Sequence, residues 1–131
     1  MKLRLARPDV LVDINRIGSL TGISESHGAI LIGAMTRHAD VAASKLVRNR
    51  IPSLADLAEA IGDPQVRNRG TIGGSVANND PAADYPAGLV GLGATVVTDR
   101  REIVADDFFT GMFETILEED EIITAVRLSL I

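Results

Sequence analysis

Apolar and polar positions along the chain follow two periods, and each change of period marks an element. Val10-Leu11-Val12-Asp13-Ile14 is dominated by β-branched residues and predicts a buried strand. Leu20 to Ser24 and Ile30 to Met35 predict the arms of a hairpin. Glu25-Ser26-His27-Gly28 would join them, with Gly28 available for a left-handed conformation. From Thr36 the period lengthens, and Thr36 is placed to N-cap a helix whose apolar positions include Ala39, Val41, Ala42 and Leu46. The clearest helix follows. Ser53 with Asp56 predicts a capping-box-like start, Leu54, Leu57, Ala58 and Ile61 form one apolar stripe, Gly62 closes it and Pro64 prevents continuation.

Asp84 is placed to cap a short helix from Tyr85 to about Gly91, with Pro86 tolerated in its first turn. Gly88, Gly91 and Gly93 would weaken that helix, which implies close packing against another backbone or a ligand. Ala94 to Thr98 and Glu102 to Ala105 predict a second hairpin through Asp99-Arg100-Arg101. Asp106 to Phe109 predicts a turn or short helix, and Glu118 to Glu121 a solvated acidic turn. Ile122 to Leu130 alternates, with Thr124, Val126, Leu128 and Leu130 on one face and Ala125, Arg127 and Ser129 on the other. Helices and strands in mixed order with two hairpins predict an α+β domain: a mixed or antiparallel sheet with flanking helices, not a doubly wound parallel sheet.

One stretch breaks both periods. Arg67 to Pro81 (RNRGTIGGSVANNDP) gathers three glycines, two arginines, three asparagines and a threonine in fifteen residues. It has few large side chains to bury, and its glycines let a ligand approach the backbone. It predicts either a phosphate or pyrophosphate cradle built from backbone N–H groups, or a structural turn whose glycines satisfy backbone geometry. There is no P-loop lysine and no G-x-G-x-x-G.

Composition narrows the function classes. At 131 residues, 46% apolar and 24% charged, the chain reads as one soluble globular domain. A net charge of −5 and four Phe and Tyr residues argue against a nucleic-acid partner, which needs a basic face and stacking surfaces. The absence of cysteine excludes disulfides, a thiol nucleophile and cysteine-ligated iron–sulfur or zinc sites. No signal peptide or membrane-spanning apolar run is apparent, which implies a cytoplasmic chain. His27 reads as a solvated turn residue and His38 as structural or surface. Asp106 and Asp107 are adjacent and diverge, the serines lack an activating base, and the contiguous acidic run lacks the spacing of a calcium loop. A cradle without a nucleophile is the pattern expected where a cofactor carries the chemistry.

Gln65 to Gly74 (QVRNRGTIGG), continuing through Asn78, Pro81-Ala82-Ala83-Asp84 and Pro86, resembles the second flavin motif of the molybdenum hydroxylases. It is most similar to the FAD-binding medium subunit of aerobic carbon monoxide dehydrogenase-type enzymes and to the flavin domain of xanthine dehydrogenase. Met1 to Ile14, Ile32 to Thr36, Gly62-Asp63-Pro64 and Ala105 to Phe109 fit the same pattern in order, so the resemblance covers nearly the whole chain. It implies the second FAD-binding subdomain of a p-cresol methylhydroxylase-type flavin fold. It implies Arg69, Gly70, Thr71, Ile72, Gly73 and Gly74 along the pyrophosphate, with hydroxyl and backbone donors from Thr71, Gly73 and Gly74. Asn78 and Asp84 would meet the flavin's polar edge or ribityl chain, and Ile123 the ring system through its backbone. Arg67 and Arg69 would either neutralise phosphate or pair with Asp63 or Asp80.

The function implied is electron transfer through FAD. A molybdenum-binding large subunit would oxidise the substrate and an iron–sulfur small subunit would relay electrons. The FAD would pass them to an external acceptor. The family's first flavin loop, upstream of the segment matching Met1, and its C-terminal subdomain have no counterpart in these 131 residues. The alternative is therefore a non-catalytic assembly module or truncated remnant that binds no FAD, with apolar surface at Met1 to Leu5 and Leu128 to Ile131 favouring self-association.

Overall fold

The computed structural model describes residues 9–130. The expectations for Met1 to Pro8 and for Ile131 lie outside the described residues. Five strands, β1 (Ile23–Ser26), β2 (Ala29–Gly33), β3 (Thr95–Thr98), β4 (Glu102–Val104) and β7 (Ile123–Ser129), form one sheet in the order β1-β2-β7-β3-β4. Every neighbouring pair is antiparallel. The predicted α+β class is therefore the observed one.

Both hairpins form where turn chemistry placed them. His27 (φ 52°) and Gly28 (φ 74°) make the two-residue left-handed turn between β1 and β2, which suits the twist of the flanking strands. The alternation of β7 buries Val126 and Leu128 beside Ile30, Ile32 and Val96. A register shift between Val97 and Thr98 sets Ile123 opposite Thr98, and so brings Ile123 into the core as well. Leu128 is buried and Leu130 half-buried, so these two residues do not offer the apolar surface expected for self-association.

Helices cover one face of the sheet. They are α1 (His38–Ala43), α2 (Lys45–Arg50), α3 (Pro52–Glu59), α4 (Pro64–Arg69), α5 (Ile72–Asn78), α6 (Asp84–Gly91) and α7 (Ala105–Phe108). Val41, Val47, Leu54, Ile72, Val76, Leu89 and Phe108 are fully buried against the strands. Each such side chain contributes roughly 1.5–3 kcal/mol relative to exposure. Two short strands, β5 (Phe109–Gly111) and β6 (Glu114–Thr115), make a separate hairpin. Left-handed Asn79 pins it, its amide donating to the carbonyls of Gly111 (2.7 Å) and Glu114 (2.9 Å).

Several local expectations are corrected. Residues 9–14 form no strand, and Val10, Leu11 and Val12 are about three-quarters exposed. β-Branched composition needs a partner strand, and none lies beside this segment among the described residues. Thr36 caps nothing: it is buried, and its hydroxyl accepts from the Gly22 amide (3.0 Å). Ser44 instead ends α1 and caps α2, accepting from Val47 N (3.2 Å), so one predicted helix becomes two. Ile51 rather than Ser53 holds the N-cap of α3, because Pro52 takes the first helical position. Ala83 rather than Asp84 precedes α6. Of the three glycines expected to mark close packing against a backbone or a ligand, Gly88 alone is crowded, and by a side chain, Leu57, while Gly91 and Gly93 have open space where a Cβ would stand.

Candidate functional site

The glycine-rich stretch is not a loop. Its first part is α4, N-capped by Asp63, whose carboxylate accepts from Val66 N (2.9 Å). Its second is α5, N-capped by Thr71, whose hydroxyl accepts from Gly74 N (3.1 Å). Only Gly70 and Thr71 lie between them. Arg67 donates to the carbonyls of Ile61 (3.2 Å) and Gly62 (3.0 Å), holding the end of the preceding helix rather than pairing with Asp63 or Asp80.

The turn is tied to the strand end at Gly33 and to α1. His38 N donates to Gly70 O (3.0 Å), Ile72 N to Thr36 O (3.0 Å) and Gly73 N to Ala34 O (2.8 Å). A Cβ on Gly73 would lie 2.6 Å from Ala34 Cβ and 2.7 Å from its carbonyl oxygen, so only glycine allows this approach. The amides of Ile72, Gly73 and Gly74 are thus already donated within the chain. The glycines bring backbone surfaces together; they do not leave a ring of free N–H groups. Thr71 differs, because its hydroxyl accepts from Gly74 and keeps its own proton to donate.

These contacts form one side of a cleft of ≈ 240 Å³, lined there by Ala34, Met35, Thr71, Gly73, Gly74 and Ala77. Leu117, Glu121, Ile122 and Ile123 face them, and Ile14 completes the lining. Thr71, Gly73 and Gly74 are therefore brought together with Ile123, which is distant from them in sequence. The other five expected residues do not line the cleft. Ile72 is fully buried in the core, Gly70 packs on the His38 ring, and Arg69, Asn78 and Asp84 are exposed. Ala34, Met35, Leu117, Glu121 and Ile122 were not anticipated. Ala77 was legible from helical spacing, since it follows Gly73 and Gly74 by one turn.

Glu121 sits in the stretch expected to be a solvated acidic turn, yet its carboxylate is wholly screened from solvent. Arg101 donates to it twice, from Nε (2.8 Å) and Nη2 (2.7 Å). That guanidinium first, then the Glu118 amide and the Thr98 hydroxyl, outweigh desolvation and hold the carboxyl down at about 2. The cleft therefore has a neutralised carboxylate in its wall.

Behind the turn lies His38, 4% exposed, with its ring 5.2 Å from that of fully buried Tyr85. His38 Nδ1 and the Tyr85 hydroxyl have no hydrogen-bond partner among the described residues. Burial pushes the His38 pKa down and the Tyr85 pKa up, so both groups stay neutral. The sheet face turned away from the helices carries a wider hollow of ≈ 600 Å³, bordered by His27, Leu31, Thr95 and Arg127 and by none of the expected site residues. Among the described residues, no helix is long and apolar enough to cross a membrane.

The cleft joins a small-residue backbone wall carrying one free hydroxyl to an apolar wall of Leu117, Ile122 and Ile123. That donor set fits a ligand with a flat apolar ring and oxygen-rich substituents, as FAD has. Its volume is below the ~300–1,000 Å³ usual for whole ligands, so it suits one portion of a dinucleotide.

Comparisons with known proteins agree with this chemistry. The medium chain of carbon monoxide dehydrogenase from Hydrogenophaga pseudoflava is 47% identical over 131 residues, covering 97% of this chain and 46% of that protein. The glyceraldehyde dehydrogenase medium chain of Sulfolobus acidocaldarius is 39% identical, covering 97% and 47%. A solved structure of the Hydrogenophaga pseudoflava carbon monoxide dehydrogenase, in a form lacking the Mo-pyranopterin moiety of its cofactor, superposes with a TM-score of 0.95 at 47% identity. It covers 98% of this chain and 46% of that one. The chain thus spans about half the length of the relatives it matches. Residues 1–129 match the family described as the FAD binding domain in molybdopterin dehydrogenase, and the chain belongs to that family.

Proposed function

We propose that this domain forms one wall of the FAD site of a larger flavin subunit, within a cytoplasmic molybdenum-containing hydroxylase or dehydrogenase. The subunit would pass electrons from iron–sulfur clusters in a small subunit to an external acceptor, downstream of a molybdenum-binding large subunit. The carrying observation is the cleft in which Thr71, Gly73 and Gly74 face Ile123. The relatives' names support the multi-chain part of the reading, since both are medium chains.

FAD supplies the reversible electron chemistry; the chain's residues hold and orient it. Thr71 would donate its hydroxyl proton to a phosphate or ribityl oxygen. Gly73 and Gly74 would let that oxygen-rich part lie against bare backbone. Ile122 and Ile123 would cover part of the ring system and exclude water, while Arg101 keeps the Glu121 charge from opposing an anionic cofactor. Arg69, Gly70, Ile72, Asn78 and Asp84 would act from outside this cleft, on a portion of FAD that extends beyond it or by supporting the turn.

A flavin titration of the purified chain, followed by fluorescence quenching with FMN as competitor, tests this reading. Saturable uptake that prefers FAD is expected. A folded chain that takes up no FAD would sink FAD binding by this domain on its own and leave the assembly-module alternative, for which the geometry offers no observation of its own.

A further inference from the structure

The cleft wall facing the glycines has little regular structure of its own. Between Ile116 and Ile122 no helix or strand forms. Its shape depends on what grips it, and the β3–β4 turn does so at three successive residues. Asp99 exchanges two bonds with Ile122: its amide donates to the Ile122 carbonyl and its carboxylate accepts from the Ile122 amide, both at 3.0 Å. Arg100 reaches the carboxylates of Glu118 and Asp120 and the carbonyl of Asp120, each at 3.1 Å. Arg101 donates to the Ile116 carbonyl (2.9 Å) and forks onto the screened Glu121 carboxylate. That carboxylate also accepts from the Thr98 hydroxyl (2.7 Å) and the Glu118 amide (3.0 Å).

Exposed ion pairs such as those of Arg100 contribute little singly. A forked guanidinium on a screened carboxylate that takes four hydrogen bonds is different, because it fixes direction as well as distance. The two ends of the irregular segment, Ile116 and Ile122, are both held by this one turn. Leu117, Ile122 and Ile123 consequently stand at fixed positions across from Thr71 and Gly74.

We propose that Asp99-Arg100-Arg101, through its grip on Ile116, Glu118, Asp120, Glu121 and Ile122, is a positioning clamp for bound FAD. The turn itself does not line the cleft; it sets where the Leu117–Ile123 wall meets the cofactor. The inference rests on the reading that FAD occupies this cleft. It extends that reading to residues whose effect on FAD is indirect.

The test compares the 131-residue chain with R101Q, R101K and R100S, and with R50Q as a control. Arg50 pairs with Glu25 (2.6 Å), away from the cleft. Three readouts are taken: FAD affinity, visible circular dichroism of the bound flavin, and amide hydrogen exchange across residues 116–123. R101Q is expected to weaken FAD by about tenfold, by analogy with the loss of metal affinity when a hydrogen-bonded partner behind a metal ligand is removed. It should also change the flavin dichroism and speed exchange in residues 116–123 while α3 stays protected. R101K, which keeps the charge and loses the fork, should fall between R101Q and the wild type. R100S should give a smaller shift in the same direction, and R50Q none. If R101Q does not fold, R101K and R100S decide by the same readouts. Equal FAD affinity and unchanged dichroism in folded R101K and R100S overturn the clamp. A wild-type chain that takes up no FAD overturns the reading beneath it, and the two failures are distinguishable.

Discussion

Gly73 donates its amide to the Ala34 carbonyl at 2.8 Å, and its Cα lies so near Ala34 that an added Cβ would sit 2.6 Å from the alanine methyl. The second glycine of the pair, Gly74, is exposed in the cleft and meets only the Thr71 hydroxyl, 2.9 Å from its notional Cβ. Neighbouring glycines thus have separable duties.

Gly73→Ala should destabilise the fold by about 1–3 kcal/mol, the usual cost of forcing a methyl into packed backbone. Gly74→Ala should leave stability within about 1 kcal/mol, because better helix propensity offsets a mild clash, while still weakening FAD. Denaturant midpoints beside FAD titrations separate the two.

Thr71→Ser should keep both the cap and the donated hydroxyl proton, and behave like wild type. Thr71→Val removes both, costing about 0.5–2 kcal/mol of stability as a lost N-cap. The same substitution should lower FAD affinity, and unchanged affinity in a folded Thr71→Val chain would remove Thr71 from the proposed site.

Tyr85→Phe should be neutral or stabilising, within about 1 kcal/mol. The hydroxyl it removes is buried without a partner among the described residues. Thermal melts of the two chains decide it, and a large loss would mean the hydroxyl has a partner in solution.

Two groups should make the fold weaken in acid. Burial depresses the His38 pKa below its ordinary 6.5. The unfolded chain therefore takes that proton more readily, and this contribution, complete above pH 6.5, shrinks as pH falls through the depressed value. Glu121 acts lower: its contribution is complete above its ordinary 4.5 and is lost as pH falls towards about 2. Denaturation measured across pH should show the first limb flattened in His38→Gln and the second in Glu121→Gln.

The sequence made legible whatever local chemistry decides. The His27-Gly28 turn, the stripe of Leu54 and Ala58 and the alternation of β7 each carry their signal within a few residues. The site was legible only in part. Resemblance brought Thr71, Gly73, Gly74 and Ile123 forward, but spacing alone could not show that two of the three amides following Thr71 bond to Thr36 and Ala34. Those partners lie across the fold, as Arg101 does from Glu121. Val10 to Ile14 misled for the same reason: strand character is a property of a pair, and composition reports one member.

The sheet order has a further consequence for how the domain assembles. β7, the last of the described strands, lies at the centre of this sheet, joining the β1–β2 hairpin to the β3–β4 hairpin. Neither hairpin touches the other directly within the sheet, so each waits as a two-stranded fragment, marginal in water, until residues 123–129 arrive. During synthesis the chain from β1 through residue 129 must emerge before the sheet can close. The half-built domain meanwhile exposes Ile30, Ile32 and Val96, the surface on which chaperones and aggregation compete.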